Sequence, residues 1–446
     1  LLEKGGYAKP HADALSAVYS YYSDAGFVSA LGNALLPIPT GVTVGGTTTI
    51  NSGTCLRPPE ALLKRWEAAS SGAFSARGFA RHVDEAWSAL KVKRAPERTM
   101  SRCSRLVLEG FQSLGFRSGR TLDRCVDGCE GSGRCCFVCP ISGKMTSRRA
   151  FLEIPPGGRG PIIRAGTRLL SVRPPSRAGE PVLLNVLSEG AGPERVECGA
   201  LVLAAGALST PYFIRAFGLG PEWRRAGDGL SLHPAAKVFG HFAEPVRGWE
   251  GVPQGAGVED PEDDALRYEG VYTPPEIAGF TMPLEGSRLR WWMERYHHVA
   301  TFGFMIRDQS RGSVRYPVGA GRPLIRYDMA PPDLGRMLRG IRQVARAFFA
   351  AGAGKVVLPI NREGNEPCKV EDLGSAAPSD VRPRELQMMA FHPLGTCAMG
   401  RVVDGDLRAC PGVYVCDGSV VPESLGVNPQ ITIYAFALRL AAHLLR

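Results

Sequence analysis

No apolar run in this chain of 446 residues approaches the ~20 residues needed to cross a bilayer. The longest, Ala200–Ala207 and Ile431–Leu438, stop far short, so no transmembrane segment is expected. Lysine is scarce. Arginine supplies nearly all of the basic excess behind the net charge of +10, and it is scattered rather than packed into a run, which argues against a nucleic-acid partner. There is no internal repeat, no low-complexity segment and no signal-peptide pattern at the start. A cytoplasmic location is therefore expected, with the twelve cysteines as reduced thiols rather than a disulfide framework. An initiator methionine is also missing. What remains is ordinary: 44% hydrophobic, 22% charged and a mean hydropathy of -0.07 describe a folded globular protein. At about 150 residues per domain the length fits two or three domains.

The texture changes along the chain. Helical patterns run over Pro10–Asp24, from Pro58-Pro59-Glu60 into Trp66, over Phe79–Leu90 and over Arg102–Leu114, so the first hundred residues read as mainly α. Strand-like runs follow at Ile162–Val172, Val182–Leu187 and Val196–Leu203, broken by Pro and Gly clusters. Residues 231–330 mix short strands with aromatic pieces, Leu334–Ala351 reads as a long helix, and Ile431–Leu445 as an amphipathic terminal helix.

Four segments carry chemistry. Leu1-Leu2-Glu3-Lys4-Gly5-Gly6 reads like the end of a buried strand. In a dinucleotide-binding βαβ unit the second strand ends in an acid that holds the ribose, about 20 residues after a Gly-x-Gly-x-x-Gly phosphate loop. Glu3 fits that acid, and the loop, absent from these residues, is expected upstream. Val44-Gly45-Gly46-Thr47-Thr48-Thr49-Ile50-Asn51 combines glycines that permit close backbone approach with hydroxyls and an amide suited to a polar ring edge. Leu201–Leu203 followed by Gly206-Ala207-Leu208-Ser209-Thr210-Pro211 reads as a buried strand, a tight turn and a helix start. Last come Phe391-His392-Pro393-Leu394-Gly395-Thr396-Cys397, Asp417-Gly418-Ser419 and Asn428-Pro429-Gln430.

The order and spacing of these segments resemble the glucose-methanol-choline (GMC) oxidoreductases, FAD enzymes that oxidise alcohols. The nearest likeness is to bacterial enzymes related to long-chain alcohol and sterol oxidases, through the Thr-rich first motif and the Cys-Pro-x-x-Gly-Lys element at Cys139–Lys144. The resemblance implies an α/β (α+β) fold of two domains: a Rossmann-like FAD domain from 1–55, 140–230 and 392–446, and a substrate domain over 231–391 with an antiparallel sheet and helices. Residues 56–139 would form a helical, Cys-rich insertion. It implies FAD contacts at Glu3, Gly45, Gly46, Thr47, Asn51, Gly206, Ala207, Asp417, Gly418, Pro429 and Gln430. His392 would take the hydroxyl proton, a task suited to an imidazole with an unperturbed pKa of ~6.5. Asn428 would hold the substrate oxygen.

Cys125, Cys129, Cys135, Cys136 and Cys139 lack paired ligand spacing and are expected to hold no metal. The aromatic-rich stretch Phe280, Met282, Trp291, Trp292, Tyr296, Phe302, Phe304 and Met305 is expected to wall a cavity for a bulky apolar alcohol, where a sugar would need many more polar partners. The electron acceptor, oxygen or a carrier, is left open. Two other readings stand beside this one: a truncated, inactive relative, and a metal or electron-transfer protein built on Cys125–Cys139.

Overall fold

The computed structural model describes residues 1–153, 158, 160–177, 179–317 and 322–445. The expected spans 140–230 and 231–391 include a few residues outside that description, and 392–446 includes one.

The long helices form where the apolar periodicity places them, and their starts are set by caps. The first runs Ala14–Tyr21 rather than from Pro10, because Asp13 accepts from the Ser16 N–H at 2.8 Å and fixes the first turn there. Ser75 caps Ala76–Ala89 and Ser101 caps Arg102–Ser113 in the same way. Glu60–Ala69, Pro331–Ala350 and Gln430–Leu444 complete the set.

Two expected strands differ. The Ile162–Val172 run is a strand only over Thr167–Arg173, because residues 162–164 pair instead with the opening of the chain: Arg164 N–H donates to Leu1 O at 2.8 Å and Glu3 N–H to Arg164 O at 3.0 Å. That opening is an isolated parallel bridge, not a buried strand, and Leu1 is exposed. The Val196–Leu203 run splits at Gly199-Ala200 into Pro193–Cys198, antiparallel to Val182–Ser188, and Leu201–Leu203, parallel to Val413–Val415. Only Leu203 of the latter strand is buried, while Val202 turns towards open space.

The platform for the site is a 7-stranded sheet. Its central strands, Pro234–His241 and Val299–Ile306, pair antiparallel with Ala235 opposite Met305, Lys237 opposite Gly303 and Val238 opposite Phe302. Side chains alternate across such a pair. Phe304 and Gly240 turn to the Pro331–Ala350 helix, where a Cβ on Gly340 would meet the Phe304 ring at 2.4 Å and one on Gly240 the Phe348 ring at 2.9 Å. Ala235, Lys237, Gly303 and Met305 turn the other way, to the cavity. Leu266–Glu269 and Ala256–Glu259 extend the sheet, and Arg120–Thr121 closes its edge.

Two large hydrophobic cores result, with a small third cluster of Ala14, Ala17 and Phe137. One lies between the large sheet and the Arg102–Ser113 and Pro331–Ala350 helices. The other joins Trp66, Phe74 and Phe79 to Phe436 of the terminal helix, with ring centroids 4.7–6.2 Å apart. Residues 56–139 contribute to both cores. Helices Glu60–Ala69 and Ala76–Ala89 pack into the second core and Arg102–Ser113 into the first, since each amphipathic face buries against the nearest apolar surface.

Candidate active site

A cavity of about 3210 Å³ runs between the two cores. Every expected site residue borders it except Gly45, which stands one position behind Gly46. Its lining joins the chain opening at Glu3, the turn at Gly206, and the His392 and Asn428 pair beneath the large sheet.

At the first motif the chain takes positive φ at Gly45 (+102°) and Gly46 (+54°) and then makes a turn of 3₁₀ helix over Gly46–Thr49. A Cβ at Gly45 would press on Thr49 Oγ1 at 2.8 Å, so glycine is required twice over. Thr47 Oγ1 accepts from Gly41 N–H at 3.0 Å. Asn51 donates through Nδ2 to Gln430 Oε1 at 3.0 Å, tying the first motif to the last. Its Oδ1 is buried without a donor. Lys144, the end of the Cys-Pro-x-x-Gly-Lys element, is buried and donates to Thr49 O, Asn51 O and Cys135 O at 2.7–2.8 Å, so it holds the motif from behind.

At the second motif Gly206 has φ +88° and open space where a Cβ would stand. Asp417, expected to touch cofactor, spends its carboxylate on the protein: it accepts from Gly206 N–H (2.8 Å), Thr210 Oγ1 (2.5 Å) and Ser419 N–H (2.8 Å). Its role is to fix the turn, and burial raises its pKa. Ala207 O accepts from Thr396 Oγ1 at 2.6 Å, linking this turn to the His392 segment. Glu3 Oε1 accepts from Gly5 N–H at 2.7 Å.

The chemistry centres on two histidines. His392 borders the cavity, and its Nδ1 lies 3.1 Å from Nδ1 of His233. His233 is buried, and its Nε2 accepts from the backbone N–H groups of both Leu425 and Gly426 at 2.9 Å. Burial lowers the His233 pKa to about 3 and holds His392 well below the usual histidine range. Across the site Asn428 and Glu269 are both buried, and Asn428 Oδ1 and Glu269 Oε2 have no donor. Asn428 and Gln254 face the Glu269 carboxyl, whose pKa is raised by burial. Lys237 donates to Thr273 Oγ1 at 2.8 Å, and burial lowers its pKa to about 8.

Sequence reasoning missed His233, Gln254, Lys237 and Glu269. His233-Pro234 repeats the His392-Pro393 doublet, a signal that was open to reading. The others sit in strands and a loop with nothing local to mark them. The aromatic wall is also half right: Phe280, Met282 and Met305 border the cavity, whereas the side chains of Trp292, Tyr296, Phe302 and Phe304 are buried in the core under the sheet and Trp291 packs against it. The strand period decides this for Phe302, which faces away from the side that carries Gly303 and Met305.

Residues 18–235 and 308–437 match the N- and C-terminal families described as GMC oxidoreductase. The chain belongs to the GMC oxidoreductases. An uncharacterised GMC-type oxidoreductase of Mycobacterium tuberculosis is 35% identical over 433 residues, covering 94% of this chain and 67% of its own. A long-chain-alcohol oxidase of Arabidopsis thaliana is 24% identical over 481 residues, covering 98% of this chain and 63% of its own. Among solved structures, pyridoxine 4-oxidase from Mesorbium loti superposes with a TM-score of 0.71 at 17% identity over 99% of this chain and 93% of its own. A fungal aryl-alcohol oxidase gives 0.68 at 14% identity over 99% and 93%. These establish the two-domain GMC flavoprotein fold, an oxidoreductase whose cofactor is FAD. The orphaned Asn51 Oδ1 and the open space over Gly206, both bordering the cavity, fit such a group, the first by offering an unpaired acceptor and the second by allowing close approach. Among the described residues no helix is long and apolar enough to cross a membrane, and no group of three or more potential metal ligands converges.

Proposed function

We propose that this GMC oxidoreductase oxidises the CH–OH group of a bulky, apolar alcohol to a carbonyl. The observation that carries the reading is one continuous cavity in which Gly46, Asn51 and Gly206 meet the His392 and Asn428 pair, with Phe280, Met282 and Met305 on the far wall. FAD, when bound, accepts the hydride at N5. Glu3, Gly46, Thr47, Asn51, Gly206, Ala207, Gly418, Pro429 and Gln430 would hold it, with Gly45 and Asp417 shaping the turns. The segments 1–55, 140–230 and 392–446 make up the cofactor domain of this reading and 231–391 the substrate domain.

His392 and Asn428 meet the hydroxyl oxygen. His392 takes the hydroxyl proton and Asn428 holds the oxygen. An apolar wall supports an apolar substrate because each buried methylene contributes ~0.8 kcal/mol, about fourfold in affinity per CH2. The test is kcat/KM for ethanol, hexanol, dodecanol, a sterol and glucose, using FAD-loaded protein and an artificial acceptor. Efficiency should climb from ethanol to dodecanol. A preference for glucose or ethanol overturns the substrate class, and no flavin reduction by any alcohol overturns the reaction.

A further inference from the structure

We propose that Lys237 forms an anion-binding subsite of the substrate cavity, so that the alcohol taken here carries a carboxylate at the end remote from its hydroxyl. This rests on the alcohol-oxidation reading above and adds a charged end to its apolar substrate.

The argument begins with two interior lysines that place their protons differently. An ammonium has three N–H donors. Lys144 places all three, on Thr49 O, Asn51 O and Cys135 O at 2.7–2.8 Å. Lys237 places one, on Thr273 Oγ1 at 2.8 Å, and among the described residues no second acceptor and no carboxylate pairs with it. Its stem lies against Gly303, directly opposite on the neighbouring strand, where a Cβ would stand 3.4 Å from Lys237 Cγ. The donors left over belong to a side chain that borders the cavity, together with Thr273 and Gly303.

Nothing beside it supplies the missing counter-charge. Cys136 is the titratable group that acts on Lys237, and burial pushes that thiol up to about 11, so it stays neutral. Glu269 borders the same cavity, but Asn428 and Gln254 are the side chains that face its carboxyl. Burial lowers the Lys237 pKa to about 8, which leaves the amine mostly protonated at neutral pH. Holding a cation away from water without a partner costs free energy, and a bound anion offsets that cost through charge-assisted hydrogen bonds. A carboxylate suits the two open donors, since it brings several lone pairs as well as a full charge.

The strand register sets what lies between the two ends of such a substrate. Ala390, two residues before His392, pairs with Pro234 at the start of the central strand. Lys237 stands three residues further along, about 10 Å at ~3.3 Å per residue. Ala235 and Met305, paired across that interval, border the cavity and are apolar. The cavity therefore offers an alcohol site at one end, a hydrocarbon surface in the middle and a cation at the other end, the pattern of a long-chain hydroxy acid.

The test measures kcat/KM in FAD-loaded protein, with an artificial acceptor, for 12-hydroxydodecanoate, 1-dodecanol and 4-hydroxybutanoate in the parent, Lys237→Met and Lys237→Arg. A hydrogen bond to a charged partner is worth about 10- to 100-fold in affinity. The parent should favour 12-hydroxydodecanoate over dodecanol by at least about tenfold. Lys237→Met should cut that ratio at least about tenfold, mainly through KM, and Lys237→Arg should keep most of it. 4-Hydroxybutanoate is too short to span the interval and should be the poorest of the three. A parent that prefers dodecanol, a ratio unchanged in Lys237→Met, or 4-hydroxybutanoate matching the longer acid overturns the inference. Binding is read separately by calorimetry with dodecanoate, which has no hydroxyl to oxidise. The parent should bind it at least about tenfold more tightly than Lys237→Met, and equal affinities refute the subsite. If neither alcohols nor hydroxy acids reduce the parent flavin, the reaction assignment fails while the dodecanoate titration still decides the role of Lys237.

Discussion

Two buried carboxylates, one holding the His233 backbone and one facing Asn428, are built on opposite terms. Asp308 is saturated: Leu232 N–H, His233 N–H, Ser424 Oγ and the Tyr327 hydroxyl all donate to it, and it is 2% exposed. Glu269, 6% exposed, has an oxygen with no donor, beside an Asn428 oxygen in the same state. Burial raises the pKa of both. Folded proteins satisfy nearly all of their buried polar atoms, so a saturated carboxylate is scaffold and a starved one marks where a ligand completes the structure. The difference separates the residues that shape this site from those that act in it.

The sharpest way to break the contrast is to delete the saturated carboxylate. Asp308→Ala leaves two backbone N–H groups and two hydroxyls without an acceptor, at about 1–3 kcal/mol for each group that finds no substitute. A loss of at least about 3 kcal/mol in urea unfolding is expected, a large fraction of the usual margin of about 5–15 kcal/mol. Any folded remainder should lose His392 function too, because His233 is no longer held at positive φ. A variant that keeps both parent stability and parent rate would show that Asp308 does not organise the site.

Acid probes the histidines that Asp308 positions. His233 has its folded pKa lowered to about 3, against an ordinary value of 6.5. Between those values the unfolded chain binds a proton that the folded chain refuses, so stability is full above pH 6.5 and falls as the pH drops towards 3. The slope is about 1.4 kcal/mol per pH unit for this ring. The buried carboxylates act with the opposite sign, since raised pKa values make the folded state take up protons first. Measuring the parent against His233→Gln cancels them. The parent should lose about 2 kcal/mol more than the variant between pH 6.5 and pH 4.5. Parallel pH profiles would show that His233 titrates normally in the fold.

The saturated cluster also shows how far the sequence could be read. The His392 and Asn428 segments were legible because their chemistry is packed into contiguous motifs, as were the Gly45-Gly46 and Gly206 turns, whose glycines mark positive φ. The long helices were legible through their 3.6-residue periodicity. Glu269 was not, because it ends a four-residue strand, Leu266-Arg267-Tyr268-Glu269, and meets Asn428 only after 159 residues of chain return. The Trp292 and Phe302 error has the same origin: an aromatic-rich stretch looks alike whether it faces a cavity or a core, and only the register with Pro234–His241 separates the two. Asp417 borders the cavity while its carboxylate holds the Gly206 turn, a use that a ligand-binding motif and a turn-capping one share.

Removing one donor at a time should give a graded version of the first experiment. Tyr327→Phe takes from Asp308 a hydroxyl at 2.8 Å and leaves its other three donors in place. The expected cost is about 1 kcal/mol, the net worth of one hydrogen bond. The rate of flavin reduction should stay within about threefold of the parent, because Leu232, His233 and Ser424 still define the backbone path. A loss near that of Asp308→Ala would mean that Tyr327 rather than the carboxylate carries the cluster.

The smallest change in stability is expected at the starved carboxylate, and it is the most informative. Glu269→Gln removes a buried charge while keeping the shape of the side chain and nearly all of its volume. No donor to Oε2 is lost, because among the described residues there is none. The cost of holding a charge away from water is relieved at the same time. Folding stability should therefore stay within about 1 kcal/mol of the parent or rise, the reverse of the loss at Asp308. The rate, not the fold, should suffer. If Glu269→Gln destabilised the protein as strongly as Asp308→Ala, both carboxylates would be scaffold, and the division between the residues that shape the site and those that act in it would not hold.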